Sequence, residues 1–597
     1  MTAPGILPDS MGRGAEDRLS GAGSRAPAGD RFWATLPFLI FCFLLVATWR
    51  RWFLPFEDSG REMNTALRLA RGETLYREVG YLYGPLAPLF DGGLLRIFGR
   101  DLDVLVAWRV FLGLLGVEAL RRLARRLVPG DSAAASALTS FAVAACAFGI
   151  GGSWPFPYSV AALAGTVGTW WAVELALASE TPVCSLAAAA VAGVAAGCKL
   201  EFIPAALAGT FLVLALRRPR REALGAGFLM AGAAGLAYGI PVLRFGLGLM
   251  QRQGFLLASS ISGGWQQFEE SVVFGGMSWT DFAHGGFLGA FLPSGFAIAI
   301  AVLLARSRVA RHGLFVPLFF AAGAFTFCSP ENAWIHALLP LALCVGALSL
   351  ARAALAWWSA KTVAARPDAV AAGISLAMLP ALLRQPFFLR NPVYGAFSAP
   401  LALVVALAWL VRRPARPRLL TALALGLTVA QAADRVREIG MAEMTLTKLP
   451  GASVFLIPAE SRFVLEAANA IREVVPEGGT VGIFPEPGFL LFVTGRRNPF
   501  VDETFLPGLQ DSEAEERMIR VLDERPPAAL LVTNRPYPEF GGSYFGHGTL
   551  DRFFHEVSRR YVLARRIEGG PLVSPFRHGM HATKGLLLVP RAGGPSP

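Results

Sequence analysis

The chain has 597 residues, of which 54% are apolar and only 16% charged, and it carries a net charge of +12. A soluble protein would carry about 25% charge; together with a mean hydropathy of +0.48, this excludes a wholly soluble globular protein. The basic excess lies in short loops between apolar runs, the pattern of cytoplasmic membrane loops and not of a nucleic-acid-binding face.

Residues 1–31 are rich in Gly, Ala, Pro and Ser and are expected to be a disordered cytoplasmic tail. The apolar run 32–49 is followed at once by a charged amphipathic loop and lacks a small-residue cleavage site, so it reads as an uncleaved first span. Further spans are expected at 103–127, 133–151, 158–178, 184–199, 202–216, 223–243, 286–305, 313–328, 334–352, 368–384, 396–411 and 418–433. This gives a polytopic α-helical membrane protein of about thirteen transmembrane helices. The clusters Arg121/Arg122/Arg125/Arg126, Arg217/Arg218/Arg220/Arg221, Arg306/Arg308/Arg311 and Arg412/Arg413/Arg416/Arg418 then share the cytoplasmic side with the N-terminus. Arg50 and Arg51, at the outer end of the first span, run against the pattern.

The first outer loop, 50–102, opens on Glu57-Asp58-Ser59-Gly60-Arg61-Glu62, with two adjacent carboxylates just beyond a membrane helix. Met63, Ala66, Leu67 and Ala70 recur at helical spacing, so a helix is expected from a Ser59/Glu62 capping box to Gly72, lying flat in the interface. Tyr76, Tyr81 and Tyr83 are expected at headgroup depth. A purely structural Asp58 would only help to cap that helix. The segment 184–216 is broken only by Lys199-Leu200-Glu201. Read as a hairpin, it puts a Lys and a Glu below the outer surface, either facing a wet cavity or neutralising each other; the pattern leaves both open. His336 and Arg384 lie in short connections that open on the same side as Asp58 and Lys199.

After residue 434 the character changes. Helices are expected near 460–474, 511–524 and 549–558, and strands at 480–484, 529–533, 560–566 and 585–590, which make a small extracytoplasmic α/β domain over 434–597. It holds neither a GxGxxG nor a GxxxxGKS string, so nucleotide binding has no support. All six cysteines fall in apolar runs, which leaves no disulfide framework or thiolate metal site in this domain.

Acids directly after the first span, the string ARLARGETLYREVGYLYGPLAP-like segment at 66–88, the Lys-x-Glu turn at 199–201 and the tail string EPGFLLFVTGRRNPF together resemble GT-C membrane glycosyltransferases. The likeness is to family-39-type enzymes, related to protein O-mannosyltransferases and the aminoarabinose transferase of lipid A. The resemblance implies an inverting enzyme of the inner (plasma) membrane that moves a sugar from a polyprenyl-phosphate donor to a lipid, glycan or protein acceptor on the extracytoplasmic face. It implies that Asp58 is the catalytic base or holds the acceptor, with Glu57 as neighbour or substitute; substrate-binding roles are expected of Arg61, Tyr83, Lys199, Glu201, His336 and Arg384, with Lys199 and Arg384 as phosphate contacts from their shared outer placement. Several relatives carry a further acid in the loop between spans 3 and 4. GIGGSWPFPYS at 149–159 has none, which leaves Glu201, Glu269 or Glu331 for that role and a divalent metal ion as an open option, with no cofactor certain. Membrane lipids, and no nucleic acid, are the other expected partners. Two competing functions are a transporter or flippase of lipid-linked glycan precursors, against which no two-fold internal repeat is found, and a catalytically inactive scaffold.

Overall fold

The structure, a computed structural model, describes residues 28–149, 153–252, 351, 366–377, 397, 399–411, 417–505, 512–536, 545, 550–571 and 581–591. Its membrane part is built from helices α1 (Ala28–Ala47), α4 (Leu102–Leu127), α5 (Ser132–Cys146), α6 (Val160–Ala178), α7 (Pro182–Cys198), α8 (Gly209–Arg217) and α9 (Arg220–Phe245). Shorter apolar helices follow at Arg366–Ala377 and Ala399–Val411, and a longer one at Pro417–Arg435. The starts follow from chemistry: Asp101, Asp131, Ser159 and Thr181 each accept a backbone N–H at the head of the helix they precede. Among the described residues, three helices are long and apolar enough to cross a membrane: Asp30–Ala47, Val160–Ala178 and Arg220–Phe245. The other described helices at expected spans are shorter or, like α4, more highly charged. The expected spans at 286–305 and 313–328, nearly all of 334–352 and much of 368–384 lie outside the described residues.

The hairpin reading of 184–216 is the arrangement found. Helix α7 ends at Cys198, the chain turns at Lys199, and a wide helical turn (Ile203–Ala208) leads into α8.

The first outer loop departs most from expectation. It holds two helices, α2 (Asp58–Ala70) and α3 (Leu86–Phe98). The N-cap of α2 is Glu57, whose side chain makes no capping bond, and Ser59 lies inside the helix, so the expected capping box does not form. Nor does α2 lie on a lipid surface: residues 59–68 are all buried. Its polar face is covered by the C-terminal domain, whose acids stand more than 430 residues away in sequence. Asn64 donates to Glu503 at 2.7 Å, and Arg68 pairs with Glu503 and with Glu73. Tyr76 and Tyr81 are buried inside the protein against Tyr83 and Tyr238, with the Tyr76 hydroxyl donating to the Tyr83 carbonyl at 2.6 Å.

The C-terminal part begins with a hairpin, β1 (Thr445–Leu449) and β2 (Ala452–Leu456), which explains Arg50 and Arg51. Arg50 pairs with Asp103, and its carbonyl accepts from the Phe455 amide at 3.0 Å. Arg51 stacks on the Phe455 ring at 4.5 Å and donates to the Ala442 carbonyl at 2.8 Å. These two arginines are anchors for the hairpin. A four-stranded sheet follows in the order β3-β4-β6-β5, from β3 (Val481–Phe484), β4 (Ala529–Thr533), β5 (Tyr561–Glu568) and β6 (Lys584–Pro590). Strands β3 and β4 are parallel, and the other two pairings are antiparallel. Helices Pro458–Val474, Ser512–Glu524 and Asp551–Arg560 lie within two residues of their expected positions.

A short helix, Gly488–Thr494, locks the sheet domain to α2. A Cβ on Gly488 would overlap the Gly60 carbonyl and the Arg61 nitrogen, and one on Gly60 would stand 2.7 Å from the Phe489 nitrogen, so two glycines let the backbones touch. Gly488→Ala is expected to cost about 1–3 kcal/mol, the usual price of overpacking, read as a lowered Tm of the full chain in detergent. Gly225→Ala, where an added Cβ meets nothing within 4 Å, is expected to leave Tm unchanged or raise it.

Candidate active site

Asp58 is the first residue of α2, with its side chain one-third exposed. Its Oδ1 lies 2.6 Å from Arg61 Nη1, one helical turn on. The Arg61 guanidinium stands 5.6 Å from the Tyr83 ring centre, and Lys199 Nζ stands 4.5 Å from the same ring and 5.8 Å from that of Tyr158. Lys199 also lies 3.3 Å from Glu201 Oε1. The residues expected at Asp58, Arg61, Tyr83, Lys199 and Glu201 therefore form one contiguous chain of contacts, although they come from the first outer loop and the tip of the α7–α8 hairpin. Gly84 makes the approach possible, because a Cβ there would overlap the carbonyl oxygens of Gly197 and Cys198. Lys199 pairs with Glu201, as the ion-pair reading expects, and it also faces the Tyr83 and Tyr158 rings. His336 and Arg384 lie outside the described residues, as do Glu269 and Glu331.

Beneath Asp58 lies a buried polar layer that sequence periodicity does not reveal. Glu62 accepts from the Tyr81 hydroxyl at 3.2 and 3.3 Å and stands 3.6 Å from Arg61. Burial pushes its carboxyl up to about 7, against the pull of Arg61 and Arg109. Next to it, Asp91 of α3 and Arg109 of α4 form a fully buried ion pair at 2.7 Å, with Arg109 stacked on Phe156 at 4.4 Å.

The C-terminal domain brings further groups. Arg535 donates through Nε to the Phe56 carbonyl at 3.0 Å and stands 3.4 Å from Glu486. Burial pushes the Glu486 carboxyl up to about 8; Arg535 opposes the rise, and the charges of Asp58 and Glu57 add to it. His581 lies 3.4 Å from the buried Glu460 and within electrostatic reach of Glu57. Glu486 opens the tail string EPGFLLFVTGRRNPF, so a signal for it stood in the sequence, but nothing in its spacing placed it beside Asp58. Among the described residues no group of three or more His, Cys, Asp or Glu side chains is arranged to hold a metal ion.

No family model and no curated protein matches the chain. Among solved structures it is similar to membrane glycosyltransferases, the class that the sequence resembles. One is ArnT from Cupriavidus metallidurans bound to undecaprenyl phosphate, with 17% identity, a TM-score of 0.41, and coverage of 96% of this chain and 100% of that one. A second is the apo oligosaccharyltransferase of Archaeoglobus fulgidus, with 12% identity, a TM-score of 0.46, and coverage of 85% and 71%. A third is the arabinofuranosyltransferase AftD from Mycobacteria, with 14% identity, a TM-score of 0.43, and coverage of 94% and 40%.

Proposed function

We propose that the chain is a membrane glycosyltransferase that moves a sugar from a polyprenyl-phosphate donor to an acceptor hydroxyl on the extracytoplasmic face. The observation that carries this reading is the contact chain from Asp58 through Arg61 and Tyr83 to Lys199. It links a partly exposed carboxylate, through Arg61, to a second cation that shares the Tyr83 ring with Arg61. Asp58 is the base: it takes the acceptor proton as the acceptor oxygen bonds to the anomeric carbon. The bond from that carbon to the phosphate oxygen breaks, and the phosphate leaves with the electron pair, so no general acid is required. Attack opposite the leaving group inverts the anomeric centre. Lys199 answers the charge of the leaving phosphate, exchanging Glu201 for it.

Lys199→Met keeps the length of the side chain and its packing on Tyr83 while removing the charge. It is expected to weaken binding of undecaprenyl phosphate by about tenfold or more, the factor a charge-assisted hydrogen bond supplies. Native mass spectrometry of the full chain in detergent measures this directly. Unchanged binding would make the Lys199–Glu201 pair structural only. The accompanying topology, with the N-terminus in the cytoplasm and residues 434–597 outside, is checked by reporter fusions at residues 20 and 590, which should report opposite sides.

A further inference from the structure

The carboxyl ends of the two parallel strands of the sheet point at the loop that carries Asp58. Strand β3 ends at Phe484 and β4 at Thr533, and the Thr533 hydroxyl donates to the Phe484 carbonyl at 3.0 Å, which holds the two ends together. Two residues beyond each end stand Glu486 and Arg535, both largely buried. Side chains at adjacent parallel-strand ends are where open α/β sheets commonly present their functional groups.

We propose that Arg535 and Glu486 are positioning residues for the Glu57–Asp58 turn, so that the C-terminal domain completes the transferase site from outside the membrane domain. This inference rests on the reading of Asp58 as the base. The Arg535 side chain is 4% exposed, so it is an inward cation with a definite target: the Phe56 carbonyl, one residue before Glu57 and two before Asp58. The same guanidinium faces Glu486 at 3.4 Å. The bond to Phe56 fixes the backbone just ahead of the N-cap of α2, and the Gly488–Gly60 contact fixes it just behind Asp58. A carboxylate at the head of a helix is thus clamped on both sides by another domain. The loop at 149–159 has no acid; the C-terminal domain instead sets the Glu486 carboxyl within electrostatic reach of Asp58 and Glu57.

The clamp has a pH signature. The charged groups that face Glu486 are Arg535 from its own domain and Glu57, Asp58 and Arg61 from the first turn of α2. Its carboxyl is held up to about 8 from an ordinary 4.5. A carboxyl raised on folding stabilises the docked state at low pH, and that contribution drains away as pH rises from the ordinary value through the raised one. Glu62, held up to about 7, and His581, held up by Glu460 against the effect of burial, act with the same sign. The Glu486 part of the pH dependence is therefore the part that Glu486→Gln removes.

The test is hydrogen–deuterium exchange of the full chain in nanodiscs, corrected for intrinsic exchange, on peptides covering residues 54–62 and, as an internal reference, 512–524. Arg535→Gln is expected to speed exchange at 54–62 by about tenfold or more, the factor lost with a hydrogen bond from a charged donor, and to leave 512–524 unchanged. Arg535→Lys should restore part of the protection. In the wild type, exchange at 54–62 should rise between pH 7 and 8.5, and Glu486→Gln, uncharged at every pH, should make that rise clearly smaller. Wild-type exchange at 54–62 in Arg535→Gln, or a full pH-dependent rise in Glu486→Gln, would overturn the inference. The underlying reading fails separately: it falls if Asp58→Asn retains full transfer, whatever the exchange shows. Should Asp58→Asn be inactive while Arg535→Gln exchanges as wild type, only the clamp is refuted.

Discussion

Asp58→Asn should lower sugar transfer by about 100-fold or more, the scale that general-base catalysis supplies, while folding and membrane insertion stay normal. Asparagine keeps the size of the side chain and a hydrogen-bonding oxygen for Arg61 but cannot take a proton. The N-cap of α2 is Glu57, and Asp58 is the first residue inside the helix, so a side-chain cap is not the role that Asp58 plays there. What is left for a structural role is the ion pair with the buried Arg61 and the placement of a carboxylate in the first helical turn, and asparagine keeps an oxygen that Arg61 can still reach, so the loss of Tm should be modest beside the loss of transfer. A large loss of transfer with a small change in Tm therefore identifies the base. Glu57→Gln, made in parallel, asks whether the neighbouring carboxylate shares the role. Full transfer in both single variants and in the double variant would favour the transporter or scaffold reading.

The largest effect on stability is expected from Arg68→Met. Arg68 lies under the C-terminal domain, where it pairs with Glu503 and with Glu73 and donates to the Glu78 carbonyl. Glu503 is almost wholly buried, and its other oxygen accepts from Asn64 at 2.7 Å. Removing the guanidinium leaves that carboxylate buried without its cation, a situation that costs about 3–5 kcal/mol. Thermal unfolding of the full chain in detergent should show a clear fall in Tm. The double variant Arg68→Met/Glu503→Gln should recover a substantial part, because no uncompensated charge is then left. A double variant as unstable as the single one would place the cost in lost packing of the arginine stem.

Much of the secondary structure was legible because it follows from local rules. Helix starts at Asp101, Asp131, Ser159 and Thr181 obey side-chain capping, and the central strands of the sheet domain are short, buried apolar runs set between helical patterns. The first outer loop was misread for one reason. Amphipathic periodicity tells which face of α2 is polar, but not whether water or another domain covers it. The partner of Arg68 and Asn64, Glu503, is invisible at that separation in sequence. The same limit hides Glu486, whose only sequence signal is a recognisable string with no stated partner, and Arg535, which lies in no such string. Arg50 and Arg51, read against the membrane charge pattern, make sense only once the 445–456 hairpin is placed on them. The approach of Lys199 to Tyr83 was foreseeable as a shared membrane side but not as a contact, since it depends on the backbones touching at Gly84.

The most direct measurement uses the purified full chain in proteoliposomes with a panel of polyprenyl-phosphate sugars and follows both the lipid product and the anomeric configuration of the transferred sugar. The expected result is release of free polyprenyl phosphate together with an inverted glycosidic product, both lost in Asp58→Asn. Movement of the intact lipid-linked sugar between leaflets, with no cleavage of the sugar–phosphate bond and no dependence on Asp58, would contradict it.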